Sequence, residues 1–270
     1  MKNVLQVKGR GFGVEGILDP FASGLLIAAT GDSTRFLSYF LQFEKSYVAE
    51  LSLGRATDTL DNTGSLIKEM PVPELSAEVL VGTKHQFQGK ISQVPPLFSN
   101  VQVDGRRGHQ IARSGETAKL KPREVTIHRL ELHIVNNTTL RIECTVSAGT
   151  YIRSLAHDIA AFLGTCGHLS ALRRMAIGAF SVGIKEAPTD QYGVIMRQLP
   201  DHDALAFFEA LHLPLHMARR FYQGQRPVVA PDSENGLRRV FAEERFIGLG
   251  RLEQGRLLVV NIYPQASLGF

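Results

Sequence analysis

The chain has no tryptophan and only two cysteines, Cys144 and Cys166, in 270 residues. The missing tryptophan excludes no function. The cysteines form no Cys-x-x-Cys pair, which argues against a zinc ribbon. They read as free, buried thiols of an intracellular protein. Cys166-Gly167-His168 has the look of half a metal site, and no second half is visible. No apolar run approaches about 18 residues, and no export leader opens at Met1. The expectation is therefore a soluble, cytoplasmic protein without a membrane partner. Internal repeats and low-complexity tracts are also absent. A large excess of one charge is missing too. Lys and Arg number 30 against 26 Asp and Glu, for a net charge of +4. With a pI of about 9.1 this permits a nucleic-acid partner without demanding one. Hydrophobic residues make up 44% of the chain, enough for one large domain or two modest ones.

Periodicity supplies the elements. Phe36, Leu37, Phe40 and Leu41 space as one helix face within 34–42. From Ser46 to Leu53, Tyr47, Ala49, Leu51 and Leu53 alternate with Val48, Glu50 and Ser52, the period of a half-buried strand. A helix is predicted from Ser76 to Phe87, then a long Gly-, Pro- and Arg-rich connection from Ser92 to Arg123. Strands follow near 124–135 and 138–147, joined at the turn signal Asn136-Asn137. Gly149-Thr150 starts a helix with Ile152, Leu155, Ile159 and Phe162 as its buried stripe. Residues 170–182 read as a strand pair or an extended edge. A boundary falls within 186–203. Short strands at 226–229, 237–241, 245–249 and 257–262, punctuated by glycine, suggest a small β-barrel-like module.

Five features carry chemistry. Gly16-Ile17-Leu18-Asp19-Pro20-Phe21-Ala22-Ser23-Gly24 sets one acid, Asp19, at a tight turn among apolar residues. Asp-Pro could equally cap a short helix that Gly24 ends. Between Asp104 and Glu124 lie Arg106, Arg107, Arg113, Lys119, Lys121 and Arg123, opposed by Glu116. Such a segment is either a solvated loop or a track for a phosphate backbone. Arg153 falls in the first turn of its helix, where a cation opposes the helix dipole and needs an anion. Tyr47 is either core packing or a flat ring for stacking on a base. Asp58 and Asp61, three apart, suggest a metal or acid–base pair, or caps on a turn.

Six segments in this order resemble the tRNA pseudouridine-55 synthase family of the TruB type. They are 16–24, Lys45-Ser46-Tyr47, Arg55-Ala56-Thr57-Asp58-Thr59-Leu60-Asp61, Gln93-Val94-Pro95-Pro96-Leu97-Phe98-Ser99, Ser147-Ala148-Gly149-Thr150-Tyr151-Ile152-Arg153, and His168-Leu169-Ser170-Ala171-Leu172-Arg173-Arg174. The resemblance covers most of 12–182. A weaker one, through Gly224-Gln225-Arg226-Pro227 and Arg245-Phe246-Ile247-Gly248, links the C-terminal segment to the PUA type of RNA-binding module. It implies a mixed α/β (α+β) core around an antiparallel or mixed sheet in residues 1–199, and a PUA-like β module in 200–270. It implies isomerisation of a T-loop uridine of tRNA, without cofactor or metal, by a monomer. By the family pattern Asp19 is the catalytic carboxylate, Tyr47 stacks on the base, Arg153 pairs with Asp19, and Leu172 lines the base pocket. Asp61, Arg106, Arg107 and Arg113 join the substrate-binding set, the three arginines within an RNA-gripping insertion at 93–123.

Departures accompany the match. Members commonly read Gly-His-Thr-Gly where this chain has Gly13-Val14-Glu15-Gly16, and Ser-Lys-Gly-Thr where it has Ser147-Ala148-Gly149-Thr150. Phe98 stands where Tyr is frequent. Members also carry an early strand with a Lys-Pro element, and none is read in the 18 residues before Asp19. The expectation there is an uncovered sheet edge and lowered stability. The departures set an alternative beside the enzyme: a weakly active or inactive tRNA-binding folding helper. A carboxylate-pair hydrolase using Asp58 and Asp61 finds no supporting metal or water motif.

Overall fold

The alternation from Ser46 onward builds the middle of a sheet. A computed structural model describes residues 11–103, 105–114, 120–182, 197–229 and 234–263. Among these, two compact units form: Val14–Ile27 with Ser38–Glu186, and Met1–Gly13 with Ala28–Leu37 and Ala187–Phe270. The structure corrects one expectation: a strand, Phe12–Glu15, lies within the 18 residues before Asp19, where the sequence pattern shows none; residues 1–10 and much of the boundary at 186–203 lie outside the described residues.

After β1 (Phe12–Glu15) the chain loops to the short β2 (Ser23–Gly24) and on to β3 (Ile27–Thr30), which pairs with β1. A 3-10 helix follows over Gly31–Phe40. Three residues per turn put Leu37 and Phe40 in line and leave Leu41, beyond the end, exposed. The expected α-helical face therefore stops at Phe40.

β4 (Lys45–Leu53) is the sheet's central strand, with Tyr47, Ala49, Leu51 and Leu53 buried as their spacing requires. β5 (Arg55–Thr57) and β6 (Leu66–Glu69) make a small hairpin. α1 (Ala77–Phe87) is capped by Ser76, whose Oγ accepts from Val79 N at 3.3 Å, an interaction worth about 1 kcal/mol. The expected long connection contains β7 (Gly89–Gln93), a ribbon of β8 (Gln102–Val103) and β9 (Arg106–Arg107), and α2 (Gly108–Arg113). β10 (Arg123–Asn136) and β11 (Thr139–Val146) form the hairpin predicted at Asn136-Asn137. α3 (Ile152–Phe162) lays Ile152, Leu155, Ala156, Ile159 and Ala160 on the sheet. Phe162, expected in that stripe, ends the helix exposed, its ring edge-on to Phe87 of α1.

β12 (Gly167–Ile177) and β13 (Phe180–Ser181) complete the seven-stranded sheet, in the order β13-β12-β4-β11-β10-β7. Neighbours on that path are antiparallel, and β2 adds to β12 in parallel. β12 is thus a full partner of β4 rather than an edge. The register sets Tyr47 opposite Cys144 on one side and Arg174 on the other. Leu51, Ile127, Leu130, Leu140, Ile142, Leu155, Ile159 and Leu169 are fully enclosed. Each contributes about 1.5–3 kcal/mol of burial.

The C-terminal elements are α4 (Asp201–Ala204), β14 (Glu209–Leu213), α5 (Leu215–Tyr222), β15 (Gly236–Ala242), β16 (Arg245–Glu253) and β17 (Arg256–Ile262). Their sheet runs β14-β15-β16-β17 around Leu213, Ala218, Phe221, Val240, Ala242, Ile247 and Leu257. The strand expected at 226–229 reduces to one bridge, Val228 with Arg256. β14 takes its place in the sheet. Among the described residues no helix is long and apolar enough to cross a membrane.

Candidate active site

The loop between β1 and β2 is a turn, not a short helix: Ala22 N donates to Asp19 O at 2.9 Å. Phe21 and Ala22 pack on the core and hold it down. Asp19 stays reachable, its side chain 31% exposed. Arg153 approaches from the first turn of α3. Its Nε donates to Asp19 Oδ2 and its Nη2 to Oδ1, both at 2.9 Å. This is the two-pronged arginine–carboxylate geometry, directional as well as strong.

The remaining donors of Arg153 are also engaged. Nη2 donates to Phe98 O at 2.9 Å, Nη1 to Thr59 O at 2.8 Å, and Nη1 stands 3.4 Å from Asp61 Oδ2. Its side chain is 4% exposed, as is that of Asp61. Two carboxylates and two carbonyls thus offset both the burial of the cation and the helix dipole acting on it. The start of α3 is fixed as well. Gln93 Oε1 accepts from Tyr151 N at 2.8 Å, its Nε2 donates to Tyr151 O at 3.1 Å, and Ser154 Oγ donates to Val94 O at 2.7 Å. The motif at 93–99 therefore serves to hold Arg153.

Asp61 acts as a turn cap with a second duty toward Arg153. Its Oδ1 accepts from Thr59 Oγ1, Thr63 N and Thr63 Oγ1 at 2.8, 2.9 and 2.5 Å. Asp58 is exposed and accepts from Ser65 N. The two acids do not converge, and among the described residues no group of three metal-ligating side chains assembles.

Burial is the largest influence on Asp19 and raises its pKa. Arg153 opposes it through charge and hydrogen bonds, and Asp61 adds to it, leaving the carboxyl above its ordinary value. The arginine thus limits the rise without cancelling it. Tyr47 is buried on β4, and burial raises its phenol, while Arg174 beside the hydroxyl works against that rise. Leu172, across the sheet from Ala49, is buried in the same core as Tyr47. Arg106 is exposed on β9, Arg107 shares that strand, and Arg113 ends α2. The side chains of Arg107 and Arg113 lie outside the described residues. Residue patterns did not reveal the carbonyls of Thr59 and Phe98, because a backbone acceptor leaves no mark on residue type. Buried Glu15, Lys45 and Arg174 were missed because charges inside strands read as surface.

The family model described as TruB family pseudouridylate synthase, N terminal domain, matches residues 2–152. The chain belongs to this family. A second model, pseudouridine synthase II TruB, C-terminal, matches residues 210–260. A tRNA pseudouridine synthase B of Psychrobacter cryohalolentis is 36% identical over 219 residues, covering 79% of this chain and 61% of that protein. One of Azoarcus sp. is 38% identical over 250 residues, covering 91% and 83%. A chain in a solved Cbf5-Nop10-Gar1 complex superposes with a TM-score of 0.66 at 21% identity, over 97% of this chain and 78% of that one. That likeness is one of fold. Family and fold thus agree with the resemblance read from the motifs, and they place the chain among the pseudouridine-forming isomerases.

Proposed function

We propose that the protein converts a uridine of tRNA, in its T loop, to pseudouridine, with Asp19 as the reacting carboxylate. The two-pronged contact of Arg153 with a partly exposed Asp19 carries the reading. The relatives' name, tRNA pseudouridine synthase B, supports the substrate class. The reaction breaks the C1′–N1 bond, turns the uracil and forms C1′–C5; the C5 proton is lost and N1 gains one. Nothing is consumed, and atoms and electrons balance within the nucleoside. Ionised Asp19 either adds to C1′ or removes the 2′ proton. Burial leaves the carboxylate under-solvated, which favours its attack, and Arg153 works against its protonation. Tyr47 supplies a face for the uracil and an acceptor near C5, and Leu172 an apolar wall. Stacking recovers about 1–3 kcal/mol of the cost of taking the base out of its own stack. Residues 1–199 are assigned the chemistry, and 200–270 a supporting RNA contact.

The test is incubation with unmodified tRNA transcript, followed by chemical mapping of pseudouridine. One T-loop uridine is expected to react. Asp19→Asn is expected to abolish the product while tRNA binding persists; full activity in that variant would remove Asp19 from the mechanism.

A further inference from the structure

A second buried arginine, Arg174, stands apart from the Asp19–Arg153–Asp61 set. It is 2% exposed, bonds the far end of the loop that carries Asp19 and lies near its other end. At the far end its Nε donates to Leu25 O at 2.7 Å, and Leu25 N donates to Arg174 O at 2.8 Å. Gly24 lies against its backbone, where a Cβ would fall 2.2 Å from Arg174 O. At the near end Gly16 leaves room for the guanidinium, since a Cβ there would sit 3.2 Å from Arg174 Nη1 and 3.8 Å from Lys45 Cε. Across the sheet the partner of Arg174 is Tyr47. One residue thus bonds the far end of the Asp19 loop, approaches its near end and faces Tyr47 across the sheet.

Such a guanidinium needs an opposite charge, because burying it uncompensated is costly. Glu15, also buried, is the acid at hand: burial raises its pKa, and a hydrogen bond from the Gly16 backbone, then the charges of Lys45 and Arg174, work against that rise. Lys45 Nζ donates to Leu41 O and Phe43 O. Glu15 Oε1 and Arg174 Nη2 have no hydrogen-bond partner among the described residues, which leaves these two atoms to charge alone.

We propose that Arg174 is a positioning residue for the isomerisation, tying both ends of the Asp19 loop to β12 and bracing Tyr47, with Glu15 as the counter-charge that keeps it there. The proposal rests on the function assigned above. By fixing loop and tyrosine through one side chain, Arg174 sets the distance between the attacking carboxylate and the face that holds the base. Arg153 orients the carboxylate, and Arg174 places the loop that bears it.

The test compares Arg174→Met, Arg174→Lys, Glu15→Gln and the Glu15→Gln/Arg174→Met pair. Single-turnover pseudouridine formation, tRNA affinity and amide exchange in the protein without RNA are measured. Arg174→Met is expected to slow turnover about a hundredfold, Glu15→Gln about tenfold, with tRNA Kd changed less than about twofold. Arg174→Lys, which keeps the charge, is expected to recover part of the loss. The double variant should be no slower than Arg174→Met alone, since Glu15 acts through Arg174. Exchange at the Ala22 and Leu25 amides should quicken in Arg174→Met and in Glu15→Gln. Unchanged exchange in both overturns the brace, and the isosteric Glu15→Gln decides should Arg174→Met fail to fold. A loss wholly in tRNA affinity, or effects that multiply in the double variant, overturns the positioning role. An inactive wild type sinks the functional reading instead, and the exchange data judge the brace separately.

Discussion

At the scale of single residues the decisive quantity is the ionisation of Asp19. Burial raises its pKa, Arg153 opposes the rise, and Asp61 adds to it. On the proposed mechanism Asp19 reacts in its ionised form, so turnover is expected to fall as pH drops through this raised value. The acid limb of the rate profile should therefore lie above the ordinary carboxylate range of about 3.9. Asp61→Asn removes the charge that raises Asp19 and leaves more of Arg153 to act on it. The acid limb should then move to lower pH, while neutral-pH turnover falls about tenfold as Arg153 loses an anchor. Single-turnover rates across pH check this; a limb that stays in place or moves upward contradicts it. The pairing of Asp19 with Arg153 was legible through the motif resemblance, and the buried strand position of Tyr47 through its period-two spacing. Their supports were not. Thr59 and Phe98 contribute carbonyls, and Gln93 reaches Tyr151 across 58 positions, a distance no local pattern spans.

At the scale of elements, two glycines separate fold requirement from tolerance. Gly24 has φ +104°, and a Cβ there would meet Arg174 O at 2.2 Å and Arg174 N at 2.7 Å. These are backbone atoms of a central strand, which have nowhere to go. Gly82 sits in α1 with nothing within 4 Å of its Cβ position. Gly24→Ala is expected to cost more than about 3 kcal/mol, and Gly82→Ala to stabilise by about 0.5–1 kcal/mol. Urea unfolding of both variants checks the pair, and equal effects would mean that the loop does not dock closely on β12. β4, the β10–β11 hairpin and α1 followed directly from period and turn residues, since β4 and α1 each bury one face and Asn136-Asn137 marks the turn of the hairpin. β14 and α5 did not. Five residues and eight residues give too few periods for a pattern to stand out, and α5 buries only Ala218 and Phe221.

For the whole molecule the question is where RNA is gripped. A net charge of +4 is too small to attract tRNA without local concentration. In the proposed reading the basic segment supplies that concentration: Arg106 and Arg107 lie on β9, and Arg113 ends the adjoining α2. The charge of this segment was legible in its residues, but its ordered ribbon and helix were not, because runs of two and six residues lie below what periodicity detects. Arginines mounted on such short elements are held at fixed spacing, which suits repeated phosphates better than a free loop would. Removing one phosphate-binding cation should lower the log–log salt slope of tRNA binding by about 0.7–0.9. Replacing Arg106, Arg107 and Arg113 with Ala is therefore expected to weaken binding and to flatten the slope by about two to three in total. Turnover at saturating tRNA should change little, since β9 and α2 are not the elements that carry Asp19, Arg153 or Asp61. Filter binding from low to moderate salt, paired with single-turnover rates, checks both parts. An unchanged slope would return the segment to ordinary solvated surface and move the search for the tRNA-gripping surface to residues 200–270.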